Sequence, residues 1–187
     1  MYSVSDLRKG LKIEIDGVPY NIAEFSFLKP GKGQAVYTCR LKNLITGASM
    51  VQNYRSNESL DECHIEEKQL RYSYKDGTNY IFTDEDYAEV TIPESVLGQG
   101  VNYLMDDIKV TVLFHNVRPI EVTFPNFIEK KVIYSEPGAR GDTANNVTKA
   151  ATLEGDWTIQ VPLFVNEGDT IKIDTRTGEY ADRVSKK

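Results

Sequence analysis

Glycine-bearing turns recur along this chain at short intervals, and that spacing leaves room for strands but not for helices of ordinary length. The turns are Asp16-Gly17, Pro30-Gly31, Thr46-Gly47, Asp76-Gly77, Pro137-Gly138, Glu167-Gly168 and Thr177-Gly178. The runs between them are rich in Val, Ile, Tyr, Phe and Thr, residue types that suit a pleated surface. Several alternate in strand fashion. Ile108, Val110, Val112 and Phe114 would share one face, as would Ile171 and Ile173. Helix is expected only in short pieces, such as residues 4–9 and 93–97. An all-β protein built from small barrels follows.

The chain of 187 residues divides near 64 and 127, giving segments 1–64, 65–127 and 128–187. The first boundary follows the acidic stretch 57–64 and the second falls at Pro125-Asn126-Phe127. Each piece has about 60 residues, a size at which a lone core is marginal, so packing between neighbours is expected. No apolar run approaches the roughly 18 residues that span a bilayer, and the N-terminus lacks the basic and apolar blocks of a signal peptide. A cytoplasmic protein without a membrane partner is predicted. Two cysteines, Cys39 and Cys63, read as free thiols in a reducing compartment.

The net charge of −6 conceals an uneven distribution. Residues 1–55 carry eight Lys/Arg against four Asp/Glu, residues 56–127 five against fourteen, and residues 128–187 nine against ten. A basic first third joined to a strongly acidic middle suggests that one end meets phosphate and the centre avoids it.

The basic third holds the most pointed local feature, Lys29-Pro30-Gly31-Lys32-Gly33, between strand-like runs at 20–27 and 35–44. Pro30 pre-sets φ for a turn, and Gly31 and Gly33 permit positive φ and close approach of another surface. Only Lys29 and Lys32 carry length. The segment reads as a hairpin whose extended tip presents Lys32 from a nearly bare loop.

Other chemistry finds little support. Cys39, Cys63, His64 and His115 show none of the pairwise spacings by which thiolates and imidazoles enclose zinc, so no metal site is expected. There is no nucleophile elbow, no phosphate-cradling Gly-rich loop ending in Lys-Ser or Lys-Thr, and no helix-borne His/Glu pair. The acidic clusters Asp84-Glu85-Asp86 and Asp106-Asp107 read as solvated turns. An enzyme is not predicted, and no cofactor is implied. Tyr72, Tyr74, Tyr80, Phe82 and Tyr87 flank the Asp76-Gly77 hairpin and are assigned mainly to a barrel core, although exposed aromatics on such a barrel can stack bases.

Taken together, these motifs resemble bacterial elongation factor P almost end to end. Asp6-Leu7-Arg8-Lys9-Gly10-Leu11 leads to Lys29-Pro30-Gly31-Lys32-Gly33-Gln34-Ala35 and then Leu41-Lys42-Asn43-Leu44-Ile45-Thr46-Gly47. The middle hairpin Tyr72-Ser73-Tyr74-Lys75-Asp76-Gly77 follows, then Pro137-Gly138-Ala139-Arg140-Gly141-Asp142-Thr143-Ala144. Lys149-Ala150-Ala151-Thr152-Leu153, Val161-Pro162-Leu163-Phe164-Val165 and Asp174-Thr175-Arg176-Thr177-Gly178-Glu179-Tyr180 complete the series. Two departures, Glu154-Gly155-Asp156-Trp157 and Asn145-Asn146-Val147, concern turns of the last segment only.

The resemblance implies an SH3-like (KOW) first domain and two OB folds, in an L-shaped outline like that of tRNA. It implies a monomeric translation factor that enters the 70S ribosome, contacts rRNA between the peptidyl and exit sites, and relieves stalling at consecutive prolines. Lys32 falls on the lysine that a modifying enzyme extends, and would contact the P-site peptidyl-tRNA with Lys29, Pro30, Gly31 and Gly33 as loop support. A β-lysyl group, an aminopentanol group and a bare lysine are all compatible with it. Gly141, Asp142 and Thr143 would face the E-site mRNA codon on the small subunit, and Tyr180 and Arg183 are further ribosome-contact candidates. A free-standing SH3/OB RNA-binding protein is the alternative, disfavoured by the acidic middle, since a groove tracking single strands should be broadly basic.

Overall fold

Asp16 and Gly17 both adopt positive φ, 52° and 76°, the pairing that a two-residue turn needs if its twist is to match the strands it joins. This turn links β2 (Lys12–Ile15) to β3 (Val18–Leu28) in an antiparallel hairpin. The computed structural model describes residues 1–31, 33–137 and 147–185. It is an all-β protein of three small β-sheet domains, SH3-like (KOW) and then OB, OB.

The first sheet contains β1 (Tyr2–Ser3), β2, β3, β4 (Val36–Asn43), β5 (Ser49–Arg55) and β6 (Ser59–Glu62), in the order β1-β6-β2-β3-β4-β5. The second contains β7 (Ile65–Asp76), β8 (Asn79–Thr83), β9 (Glu89–Pro93), β10 (Lys109–His115) and β11 (Arg118–Thr123), ordered β11-β10-β7-β8-β9. The third contains β12 (Phe127–Ser135), β13 (Thr148–Leu153), β14 (Trp157–Pro162), β15 (Thr170–Asp174) and β16 (Glu179–Ser185), ordered β14-β13-β12-β15-β16. Among the described residues helix is confined to short pieces: the α-turn α1 (Glu94–Leu97), continued as a 3₁₀ turn over Gly98–Tyr103, and a 3₁₀ turn at Val4–Asp6. The Val4–Asp6 turn is shorter than the sequence suggests, and Gly98–Tyr103 carries no helical periodicity that would reveal it. Among the described residues no helix is long and apolar enough to cross a membrane.

The chain forms two compact units, Met1–Gln69 with Thr111–Val122, and Leu70–Val110 with Thr123–Lys187. In the first, Val4, Leu7, Ile13, Ile22, Cys39, Leu41, Tyr54 and Leu60 make one apolar core. The strand alternation expected of Ile108 to Phe114 is present, with Val110, Val112 and Phe114 buried beside more open Lys109, Thr111 and Leu113. Both thiols are free and buried. In the second unit Ile128, Val132, Ala151, Leu153, Val161, Ile171 and Ile173 are buried along the third sheet. Tyr103 packs edge-on against both Phe124 and Trp157, with centroids 5.4 Å apart in each pair. Lys130 is buried there, and its ammonium donates to the carbonyls of Leu104 and Glu154 at 3.1 Å. Burial holds its pKa below the usual lysine range, with Glu154 opposing.

The acidic clusters are turns. Asp84 Oδ1 accepts from the backbone N–H groups of Asp86 and Ala88, each at 2.9 Å, which closes the β8–β9 loop on its own side chain. Of the middle aromatics, Tyr80 and Phe82 are core, whereas Tyr74 and Tyr87 are 49% and 86% exposed.

Two consequences are testable. A Cβ on Gly100 would clash with the ring of Phe124, which is held in place by Tyr103. Gly100→Ala should destabilise the protein by about 1–3 kcal/mol in denaturant unfolding. Tyr54 has a buried hydroxyl without a hydrogen-bond partner among the described residues, and burial first, then nearby Cys39 and Glu58, pushes its pKa from 10.0 up to about 12. Folding therefore favours the neutral phenol: its contribution is intact below pH 10 and is lost as pH rises toward 12. Tyr54→Phe should leave stability at neutral pH no lower than wild type and make that alkaline decline shallower.

Candidate functional site

The β3–β4 hairpin grades from core to solvent along its length. Ile22 pairs with Leu41 and Phe25 with Cys39, where Ile22, Cys39 and Leu41 are fully buried, and the pairing runs out to Leu28 opposite Val36. Seven residues, 29–35, then connect the strands. Lys29, Pro30, Gly31, Gly33 and Gln34 are all exposed, and Leu28 is 68% exposed. Lys32 itself lies outside the described residues.

What stiffens the arm is aromatic. Phe27 and Tyr37 are cross-strand partners with ring centroids 4.8 Å apart, and Phe25 lies 6.2 Å from the same tyrosine. Thr38 Oγ1 donates to Asn53 Oδ1 of β5 at 2.7 Å, and across the hairpin Arg40 pairs with Glu24 of β3 at 3.5 Å. At the tip, Gly33 takes φ 124°, a conformation that L side chains rarely adopt, and a Cβ there would approach the Pro30 ring at 3.6 Å. A supported two-stranded arm thus ends in a loop whose backbone is bare on both sides of position 32.

Tyr180 and Arg183 stand three residues apart and would face opposite sides of a regular strand. A bulge changes this. Tyr180 is opposite Ile173, Asp182 opposite Lys172 and Arg183 opposite Ile171, so the extra residue at Ala181 brings both side chains to one face. They meet at Phe164: the Arg183 guanidinium lies 5.0 Å over its ring and the Tyr180 ring 6.5 Å away. Arg183 also donates to the Phe164 carbonyl at 3.3 Å and lies 3.6 Å from the buried Asp169 carboxylate. Phe164 stays 54% exposed, so the group forms a cationic, aromatic surface. Gly141, Asp142 and Thr143 lie outside the described residues.

A third constellation escapes the sequence reading. Glu14 on β2, Cys63 in the connector after β6 and His115 at the end of β10 converge, their donor atoms all within 4.8 Å of one another. His115 Nε2 is 2.7 Å from Glu14 Oε2. Spacing along the chain gives no sign of it, because Glu14 and His115 are 101 positions apart. Burial pushes the Cys63 thiol up to about 11, with Glu14 adding to the shift and Lys12 opposing it.

Solved structures agree at the level of fold: eukaryotic translation initiation factor 5A from Methanococcus jannaschii aligns with 66% of this chain and 91% of its own, at TM-score 0.54 and 20% identity. A translation initiation factor eif-5a family protein from Naegleria fowleri aligns with 66% of this chain and 96% of its own, at TM-score 0.53 and 16% identity. Family models are more specific. They match the elongation factor P KOW-like domain at residues 3–60, its OB domain at 65–122 and its C-terminal domain at 128–183. Elongation factor P of Desulforapulum autotrophicum is 47% identical over 99% of this chain and 100% of its own, and elongation factor P 2 of Geobacter sulfurreducens 42% identical over 98% and 99%. The chain belongs to the elongation factor P family, whose members are translation factors rather than enzymes.

The aromatic support of the hairpin generates a prediction. Phe27→Ala removes one ring of the outer pair, worth about 0.5–1.5 kcal/mol. Because Phe27 is 49% exposed, the loss should fall on the arm. Amide exchange should accelerate at residues 26–28 and 36–38 while the buried amides of β2 stay protected.

Proposed function

We propose that this protein binds the ribosome between the peptidyl and exit sites and promotes peptide-bond formation at consecutive prolines. The group that acts is Lys32, bare or extended by a lysine-modifying enzyme. The observation that carries this reading is the graded hairpin: a buried root, an aromatic middle and an exposed tip with glycine on both sides of position 32. Such an arm can deliver one cation deep into a crowded site while excluding little of what is already there.

The physical task suits a cation on a stiff support. Proline at the end of the nascent chain restricts its own φ and the residue before it, and proline as acceptor is a constrained secondary amine. Reactive geometry is then poorly sampled. Lys32 set against the peptidyl-tRNA backbone holds the donor end in place, so the gain is orientational and the ribosome makes the bond. In this reading the domains are 1–64, 65–127 and 128–187. The first meets rRNA and P-site tRNA. Gly141, Asp142 and Thr143 face the E-site codon, and the Tyr180–Phe164–Arg183 surface supplies a further contact. The factor works as a cytoplasmic monomer.

Lys32→Ala should abolish rescue of a Pro-Pro-Pro reporter in reconstituted translation while leaving the melting temperature unchanged. Lys32→Arg should also be weak, since guanidinium differs from ammonium in shape and hydration and is no substrate for a lysine-modifying enzyme. Wild-type rescue by the alanine variant would overturn the role given to Lys32. Failure of the wild-type protein to co-sediment with ribosomes would overturn the ribosomal reading as a whole.

A further inference from the structure

We propose that Glu14, Cys63 and His115 form a three-ligand site for a transition-metal ion of the zinc class, which staples the first sheet to the end of β10. The three residues come from different parts of the fold: Glu14 from a central strand of the first sheet, Cys63 from the connector after β6, and His115 from the last position of β10. A thiolate, an imidazole and a carboxylate are the donors zinc takes, and three protein donors leave a fourth position for water.

The geometry is close to what such an ion needs. Tetrahedral ligands at ordinary zinc distances stand roughly 3.3–3.6 Å from one another. Here all three donor atoms lie within 4.8 Å of each other, and the closest pair, Glu14 Oε2 and His115 Nε2, is at 2.7 Å. An ion would separate that pair by about half an ångström and draw Cys63 inward, which side-chain rotation can supply. Charge also balances. The Glu14 carboxylate and the Cys63 thiolate together offset a divalent cation, the imidazole stays neutral, and the Cys63 proton leaves to solvent on binding.

The surroundings favour a real site over a chance meeting of polar groups. His115 and Cys63 are each only 8% exposed, so the ion would be shielded from bulk water. Cys63 also lines an open cleft of about 370 Å³ together with Tyr2, Arg8, Lys9, Gly10, Leu11 and Lys12, which puts the thiol side of the site next to solvent. The backbone is fixed around the donors. Ile13 and Glu14 pair with Glu62 and Asp61, and Asn116 N–H donates to the His64 carbonyl at 3.2 Å, which holds the residues following His115 and Cys63 together. Pre-placed donors lose little freedom when the ion binds.

Cobalt(II) reports thiolate ligation directly. The full-length protein, stripped with a chelator, is titrated with cobalt(II) while the near-ultraviolet thiolate-to-metal band and the visible bands of a tetrahedral ion are followed. Wild type and Cys39→Ser should both bind one ion with the thiolate band present, and zinc should displace the cobalt. Cys63→Ser should lose the band, and it and His115→Gln should bind more than about 100-fold more weakly, since even outer-shell partners are worth up to that much. Zinc at saturating concentration should raise the melting temperature of wild type and leave that of Cys63→Ser unmoved. If His115→Gln does not fold, Cys63→Ser, a one-atom change in a connector, decides the matter. Absence of the thiolate band in wild type, or its persistence in Cys63→Ser, would overturn the proposal.

Discussion

A barrel of about 60 residues buries too little apolar surface to be comfortably stable, and in each compact unit of this protein a buried side chain makes a polar contact from one barrel to a segment of the next. In the first unit, His115 at the end of β10 reaches Glu14 of the first sheet at 2.7 Å. In the second, buried Lys130 of β12 binds the carbonyl of Leu104, while Tyr103 sits between Phe124 and Trp157. Each is costly to desolvate and specific in geometry. An ammonium taken out of water needs its acceptors in place, so Lys130 disfavours any arrangement that moves Leu104 and Glu154 away. Apolar contacts alone would be more forgiving of slippage.

The β3–β4 hairpin extends beyond the core of the first unit. An arm projecting into solvent has few apolar contacts of its own and would fray from the tip. The Phe25, Phe27 and Tyr37 rings and the Thr38–Asn53 and Arg40–Glu24 contacts keep it paired out to Leu28 and Val36. Strand pairing stops at Leu28 and Val36, just short of the tip. In the role proposed for Lys32 a well-paired arm matters, since freedom in the arm would dilute the effective concentration of the group at its end.

Charge distribution complements the arm. The basic first third and the acidic middle divide attraction to phosphate unequally along one chain. On the third sheet the Tyr180–Phe164–Arg183 group adds a local cationic surface, but the paired Asp169 carboxylate 3.6 Å from Arg183 tempers it. Contacts there would depend on stacking and shape as much as on net charge.

Much of this was legible in the sequence because it is local. Turn residues and two-residue alternation are properties of neighbours in the chain, so the strands, the burial of Val110, Val112 and Phe114, and the Asp16-Gly17 turn could be read directly. So could the family, from motifs spread along the chain. Two things could not. One inserted residue at Ala181 reverses the side-chain phase of a strand, and nothing in the residues 179–185 marks it; only pairing with β15 places Tyr180 and Arg183 on the same face. The meeting of Glu14, Cys63 and His115 depends on how a strand of the second sheet ends against the first. Donor spacing in sequence reports a metal-type cluster only when one turn or hairpin carries the donors, whereas here long-range packing brings together side chains as many as 101 positions apart.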